Sequence, residues 1–193
     1  MPRYVDHAAR RNFVARVAAD LAADEGLEAM TVRRVAQAAG FSTTVVSHYF
    51  TDRRDLMLTT YRAAAARSSE RFDAALVDSD DPLQDCLEAL LPLDAESRRD
   101  WRIWFAFWAM ATADARLAAE QAERVRSARA RITRVLEAER DGGRVRTDVD
   151  LPDAAYGLVV LVHGLGTHAV FDQDHSTPAR QRAAVANQLL GLR

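Results

Sequence analysis

The sequence predicts an all-α protein of about nine helices. Alanine is abundant, whereas only 8 of the 193 residues are glycine and 5 are proline. β-branched residues rarely alternate with polar ones, so the pattern does not indicate strands. Side chains that cap helices stand directly before apolar stretches of helical periodicity, and glycine or aspartate clusters follow those stretches. These three observations predict a chain of helices joined by short turns.

The first helix is predicted at about 7–25. Phe13, Val17 and Leu21 recur at four-residue spacing, so we expect them to form its buried stripe. Gly26 follows as a natural C-terminal stop.

Two short helices are predicted next, on either side of a glycine turn. Thr31 is expected to cap the first of them, which ends at Gly40, and Ser42 is expected to cap the second, at about 43–50. In that second helix Val46 and Phe50 should face inward, while its other face is polar but uncharged.

The remaining helices follow from capping signals. Asp52 is expected to cap a long fourth helix, and Asp81 and Thr177 each precede a proline that fits the first position of a helix. The predicted helices lie at about 52–77, 82–91, 95–112, 115–141, 152–172 and 178–190.

Composition and charge restrict the classes of function. The net charge is −2 and all 26 basic residues are arginine, so any claim of DNA binding must depend on local pattern. The single cysteine, Cys86, cannot form an internal disulfide, and no N-terminal export signal is evident, so we expect a cytoplasmic protein. The longest apolar run, 158–162 extended by 164–166, is far shorter than a membrane span, so no membrane is expected.

The turn Ala39-Gly40-Phe41-Ser42 between two short helices has the dimensions of a helix-turn-helix. The full string from Thr31 to Arg53, TVRRVAQAAGFSTTVVSHYFTDR, closely resembles the DNA-binding signature of the TetR family. The resemblance is strong over 10–60. It implies a helix-turn-helix domain at 1–55 and a ligand-binding and dimerisation domain at 56–193.

The C-terminal half resembles the BetI-like, choline-responsive repressors, through the stretches 101–110 and 151–171 and the arginine-rich helix that ends at 142–143. The resemblance implies a homodimeric repressor that binds a palindromic operator in double-stranded DNA. It also implies release of the operator when a small-molecule effector binds, and no cofactor or metal.

The same resemblance implies which residues contact DNA. A helix N-terminus at Thr31 suits a phosphate, and Arg33 can read guanine, although it could instead be a solvated surface charge. His48, Tyr49 and Arg53 match positions that hold the DNA backbone, and Tyr49 could instead pack in the core. The implied DNA-binding residues are Thr31, Arg33, Ser42, Thr43, Thr44, Val45, Ser47, His48, Tyr49 and Arg53.

An aromatic stripe marks the predicted helix at 95–112. Trp101, Trp104, Phe105 and Trp108 fall at i, i+3, i+4 and i+7 on one helix face. Such a stripe is usually core, but in the TetR family the corresponding helix lines the inducer cavity. With Tyr61 these rings would suit an aromatic, hydrophobic or cationic effector, choline among them.

The predicted eighth helix is apolar nearly all round, which indicates a surface buried against a second copy. With a stripe on the ninth helix it resembles the four-helix dimer interface of the family. The implied interface residues are Gly157, Leu161, Gly164, Val185 and Leu189.

Two other functions are alternatives to a DNA-binding regulator. Catalysis would have to start from His163 and His168, but they are five residues apart and no glutamate or cysteine joins them at ligand spacing, so no enzyme is predicted. A helical protein-interaction module without DNA binding is the second alternative. The arginines of 124–134 are expected to form a solvated helix face.

Overall fold

The computed structural model describes residues 7–193, without the side chains of Ala23 and Leu27. These residues form nine α-helices, one turn of 3-10 helix at Leu27–Ala29 and no β-strand, which confirms the predicted fold class. The helices are α1 (His7–Glu25), α2 (Val32–Ala39), α3 (Thr43–Tyr49), α4 (Arg53–Ala75), α5 (Pro82–Glu88), α6 (Ala95–Ala111), α7 (Ala115–Asp141), α8 (Leu151–Phe171) and α9 (Pro178–Leu190).

The predicted caps form as expected. Thr31 Oγ1 accepts a hydrogen bond from the Arg34 amide at 3.2 Å, and Ser42 Oγ accepts one from the Val45 amide at 3.3 Å. Gly40, which ends α2, has a φ of 70°, a left-handed conformation that other residues rarely adopt. The chain can therefore turn sharply between α2 and α3.

The chain packs as two compact units. The first contains 7–67 and 102–117, so it joins α1–α3 and the first half of α4 to most of α6. The boundary that the resemblance implies at 55/56 separates the DNA-binding part from the ligand-binding part of the family. The packing instead places 56–67 and 102–117 in one unit with the first three helices. The large buried side chains of this unit are Met30, Phe50, Leu56, Met57, Tyr61, Phe107 and Leu117.

The buried stripe of α1 differs from the predicted one. Val14, Ala18 and Leu21 face the core, whereas Phe13 keeps 39% of its surface exposed. Phe13 packs edge-on against Phe41 in the turn, with ring centroids 6.0 Å apart. The prediction for Phe13 was wrong because four-residue spacing over a long helix fits two adjacent stripes equally well.

The second unit contains 68–101 and 118–193. Two side chains complete the C-terminus of its helix α5: Trp101 Nε1 donates to the Leu90 carbonyl at 3.0 Å and Arg71 Nε to the Ala89 carbonyl at 3.5 Å. Arg71 also forms a 3.0 Å ion pair with Asp100, which is fully buried. The free carbonyls of a helix end are thus satisfied by side chains.

Helix α8 is the most apolar helix of the second unit. It has 21 residues, and its best 18-residue window has a mean hydropathy of 1.5, so by length and composition it could cross a membrane. Core helices of soluble proteins pass the same test. One third of that window is buried inside the subunit, so much of the apolar surface of α8 is not buried by its own subunit.

Candidate functional site

Helices α2 and α3 present a continuous polar surface. Thr43, Thr44, Ser47 and His48 are exposed, and Val45 is half-buried. On the opposite face of α3, Val46 and Phe50 are buried as predicted. Apart from the His48 imidazole, the exposed face of α3 carries no large side chain, and it carries no carboxylate or guanidinium group, so it can lie close to base edges.

The arginines beside this surface differ in their partners. Arg34 is paired with Glu25 at 2.5 Å, and Arg53 lies 3.5 Å from Glu28, whose side chain is 95% exposed. Arg33 is exposed and has no hydrogen-bond or ion-pair partner among residues 7–193. Of these three guanidinium groups, only that of Arg33 has no partner among the described residues, so it can contact DNA without breaking an ion pair.

Tyr49 lies between two histidines. His7 Nδ1 is 3.0 Å from the Tyr49 hydroxyl, although the two residues are 42 positions apart. The ring centroids are 6.3 Å apart for His7 and His48, and 5.6 Å for His48 and Tyr49. Tyr49 is half-buried, so its ring packs against the core while its hydroxyl joins a polar cluster.

The first turn of α4 fixes the neighbouring side chains. The Asp55 amide donates to Asp52 at 2.7 Å, which confirms Asp52 as the cap. Asp55 in turn accepts from Arg11 at 3.0 Å, which connects α1 to α4. In the same unit Arg54 forms a 2.6 Å ion pair with Asp114, at the turn between α6 and α7.

Two of the five predicted ligand-binding residues are core residues. Trp101 is fully buried, with its ring edge-on to His163 at 6.2 Å. Tyr61 is 2% exposed and stacks on Phe107 with centroids 3.8 Å apart. Both rings are packed in the protein core, and their part in ligand binding stays a prediction.

The other three predicted ligand-binding residues, Trp104, Phe105 and Trp108, are half-buried. Phe105 and Trp108 pack at an angle of 69° with centroids 5.1 Å apart. A cavity of about 460 Å³ opens in the same unit, and α6 contributes Met110 to its wall. It is lined by Asp52, Arg53, Arg54, Met110, Ala113, Asp114 and Leu117.

The predicted dimer residues also divide into two groups. Gly157 and Gly164 are exposed and Leu161 is half-buried. Val185 and Leu189 are fully buried within the subunit, so the prediction that they face a partner was wrong: the apolar stripe of α9 packs into its own unit. The exposed large apolar side chains of α8 and α9 are Tyr156, Val160, Phe171 and Leu190.

His163, one of the two histidines considered for catalysis, and the single cysteine, Cys86, both lie in surroundings that lower their reactivity. His163 lies against Trp101, and burial lowers the pKa of its imidazole. Burial likewise raises the pKa of the Cys86 thiol to about 12, which keeps it protonated and a poor nucleophile.

Comparison with known proteins identifies the family. Residues 15–60 match the family described as bacterial regulatory proteins, tetR family, and residues 79–193 match the family described as BetI-type transcriptional repressor, C-terminal. The chain belongs to the TetR family. It is a DNA-binding transcriptional regulator with a BetI-type C-terminal domain, and this family consists of regulators, not enzymes.

Relatives of this TetR-family regulator cover most of its length. It is 27% identical over 175 residues to the transcriptional regulator PksA of Bacillus subtilis, which covers 89% of this chain and 84% of PksA. It is 30% identical over 146 residues to BetI of Burkholderia ambifaria, which covers 74% of this chain and 72% of BetI.

Solved structures share the fold. A transcriptional regulator from Rhodococcus sp. Rha1 superposes with a TM-score of 0.84 at 24% identity, over 94% of this chain and 95% of that one. A regulator from Saccharomonospora viridis, solved in complex with choline, superposes with a TM-score of 0.85 at 20% identity, over 94% and 95% of the two chains.

Sequence reasoning missed two groups beside the TetR-family motif. The first is His7, which no local pattern connects to Tyr49. The second is the acidic pair Glu25 and Glu28, which hold Arg34 and Arg53. A charge count over the turn between α1 and α2 could have indicated the acids, but only the fold shows which arginine each one contacts.

Proposed function

We propose that this regulator is a cytoplasmic, homodimeric repressor that binds a palindromic operator through α2 and α3. A two-fold dimer places two recognition helices about 34–36 Å apart, one turn of B-DNA, so each helix enters one half-site. The observation that carries this proposal is the exposed, uncharged face of α3 beside Arg33, which has no partner among the described residues.

Different residues in this interface have different roles. The small side chains of α3 and Arg33 are proposed to contact base edges, because arginine can bind guanine in a bidentate manner. Thr31, at the start of α2, and the pair His48 and Tyr49 are proposed to contact phosphates, which position the protein without reading sequence. Arg53 would contact a phosphate by giving up its ion pair with Glu28, which lies 3.5 Å away.

We also propose that a small apolar or cationic molecule releases the operator by binding beside the half-buried rings of Trp104, Phe105 and Trp108. Aromatic faces attract quaternary ammonium groups, and the BetI-type C-terminal domain and the choline complex of the Saccharomonospora neighbour agree with such an effector. Tyr61, which is buried in the same unit, would support these rings from the core.

The base-reading role is tested by substitution of Arg33. A duplex selected from a random library by the wild-type protein is compared with a duplex of random sequence. Arg33→Ala should weaken binding to the selected duplex by about 1 to 3 kcal/mol and change binding to the random duplex far less.

Arg34→Ala is the matched control, since it removes the neighbouring arginine that Glu25 already holds. It should retain the preference for the selected duplex. An Arg33→Ala protein with the wild-type preference would remove this residue from base reading. Failure of the wild-type protein to select or bind any duplex would instead favour the protein-interaction module.

The effector is tested by titration with choline and with apolar candidates. All three tryptophans lie on α6, so indole fluorescence reports on this helix. A true effector should change the fluorescence and weaken operator binding over the same concentration range, because the coupling is reciprocal. A ligand that binds the rings but leaves operator affinity unchanged would contradict the release mechanism.

A further inference from the structure

We infer that His7, at the start of α1, belongs to the phosphate-binding surface and makes DNA affinity pH dependent by setting the direction in which the Tyr49 hydroxyl donates. The inference rests on the proposed contact of His48 and Tyr49 with the DNA backbone. It adds a residue from outside the helix-turn-helix motif to that contact.

The geometry brings three polar rings together. His7 Nδ1 is 3.0 Å from the Tyr49 hydroxyl, and the His7 ring centroid is 5.9 Å from that of Tyr49 and 6.3 Å from that of His48. Both imidazoles are exposed, so both can exchange protons and reach an anion in solvent. The three rings form one cluster at the junction of α1 and α3.

The charges around the cluster are mostly engaged elsewhere. On α1, Arg11 is paired with Asp55, and Arg10 lies 5.3 Å over the ring of Phe41. On α4, Asp52 caps the helix. Among residues 7–193 neither His7 nor His48 has a carboxylate partner, and the first turn of α1 contains no acid. The exposed imidazoles of His7 and His48 are thus placed where they can contact a DNA phosphate.

The hydrogen bond between His7 and Tyr49 depends on protonation. In the neutral tautomer that carries its proton on Nε2, Nδ1 of His7 is the acceptor nitrogen and accepts a hydrogen bond from the Tyr49 hydroxyl. A protonated imidazole is a donor at both nitrogens, so Nδ1 must then donate to the tyrosine oxygen. The hydroxyl proton of Tyr49 is thereby freed, and it can be donated to a DNA phosphate.

The direction of the pH effect follows from this exchange. Protonation of His7 adds a positive charge beside the phosphate and frees a donor, so protonation and DNA binding favour each other. Affinity should therefore rise as the pH falls and His7 takes up a proton. Phosphates are present in every sequence, so the effect should be equal for any duplex.

The test measures binding to a duplex of random sequence between about pH 6 and 8 and over a range of salt concentration. The wild-type affinity should fall as the pH rises. His7→Ala should lose a large part of that dependence, and at the lower pH its salt slope should be smaller by roughly 0.9 for each phosphate that the variant no longer neutralises. His7→Arg should restore affinity and keep it nearly constant with pH.

Two further variants separate a direct role from a structural one. In a Tyr49→Phe background the His7→Ala change should have a smaller effect, because the hydroxyl that His7 orients is absent and only the charge of His7 remains to be lost. His175→Ala is the control, since it removes an exposed histidine that is paired with Asp172 in the other unit. It should retain the wild-type pH profile and salt slope.

The outcomes are distinguishable. If the wild-type protein binds duplex DNA but His7→Ala keeps both its pH profile and its salt slope, the inference is overturned while the proposed function stands. Equal effects of His7→Ala with and without the Tyr49 hydroxyl would also overturn it. If no duplex binds at any pH, the proposed function itself fails.

Discussion

Gly166 shows how one missing side chain fixes the position of a large ring. A Cβ atom placed at this residue would lie 2.1 to 2.3 Å from three ring carbons of Trp101. The indole is also held by its hydrogen bond to the Leu90 carbonyl, so it cannot move aside without breaking that bond. The glycine therefore serves the core of its own unit, whereas among residues 7–193 no atom beyond its own helix backbone and chain neighbours lies within 4 Å of a Cβ at Gly164.

We predict that Gly166→Ala destabilises the protein by about 1 to 3 kcal/mol, the usual cost of overpacking a core. Urea unfolding followed by fluorescence measures this. Gly142→Ala is the control, because its Cβ would meet the nearest atoms at ordinary distances of 3.4 to 3.7 Å. Wild-type stability in Gly166→Ala would contradict the close packing of Trp101.

The sequence could predict individual roles only where local chemistry decides them. Gly40, Thr31 and Ser42 were predicted as turn and cap residues, because capping depends on atoms within four positions. The contact between His7 and Tyr49 spans 42 positions, and no spacing rule indicates it. Burial of Val185 and Leu189 in their own unit could not be predicted either, because an apolar stripe does not indicate which surface it packs against.

At the scale of helices, Asp114 serves two elements at once. Its Oδ1 accepts from the amides of Arg116 and Leu117 at 3.0 and 3.2 Å and so caps α7. Its Oδ2 forms the 2.6 Å ion pair with Arg54 in the first turn of α4. One carboxylate thus ties the start of α7 to the helix that follows the recognition helix.

Asp114→Ala should lower the free energy of unfolding by about 1 to 2 kcal/mol, since it removes a cap. Asp114→Asn should cost less than about 1 kcal/mol, because asparagine also caps helices and only the partly exposed ion pair is removed. In an Arg54→Gln background the effect of the asparagine should nearly disappear.

Asp150 offers a control for the cap alone, because it accepts from the Asp153 amide at 3.1 Å at the start of α8. Asp150→Asn should be close to neutral with or without Arg54. Equal losses for the alanine and asparagine variants at 114 would show that charge, not capping, dominates there.

The helix boundaries themselves were largely predictable. The start of every helix from α2 to α9 lies within one residue of the predicted position, because a capping side chain or proline marks most of these starts. The ends are less well defined: α5 was predicted to reach residue 91 and ends at Glu88, since the following residues continue in turns. Helix ends commonly fray into such turns.

At the scale of the whole molecule, the exposed apolar surface of α8 and α9 is the surface that the proposed dimer would bury. Tyr156, Val160 and Leu190 expose 59%, 51% and 70% of their surfaces. Gly157 and Gly164 are exposed on the same helix as the first two and would allow a second helix to approach closely. These residues replace Val185 and Leu189 as the proposed dimer contacts.

Gly164→Arg is therefore predicted to give monomers with the subunit fold intact, since the new Cβ would have open space around it in the described part of the chain. Sedimentation should give the mass of one 21.4 kDa chain, and operator affinity should fall steeply because two half-sites are no longer joined.

Gln173→Arg adds the same charge at an exposed position just after α8 and should remain dimeric. A soluble, dimeric Gly164→Arg protein would place the dimer contact on another surface. A wild-type protein that sediments as a monomer at micromolar concentration would remove the dimer from the proposal altogether.

Residues 7–67 and 102–117 share one core. This limits how the DNA-binding and effector-binding parts of such regulators can be exchanged. A chimeric repressor made by joining the first 55 residues to a foreign effector domain would separate Phe50 from Met57, Phe107 and Leu117, which belong to the same buried cluster. Transplanted DNA specificity should thus require either the second half of α6 from the same donor or a recipient α6 with matching aromatic side chains. Sensor engineering with this protein should exchange these two segments together.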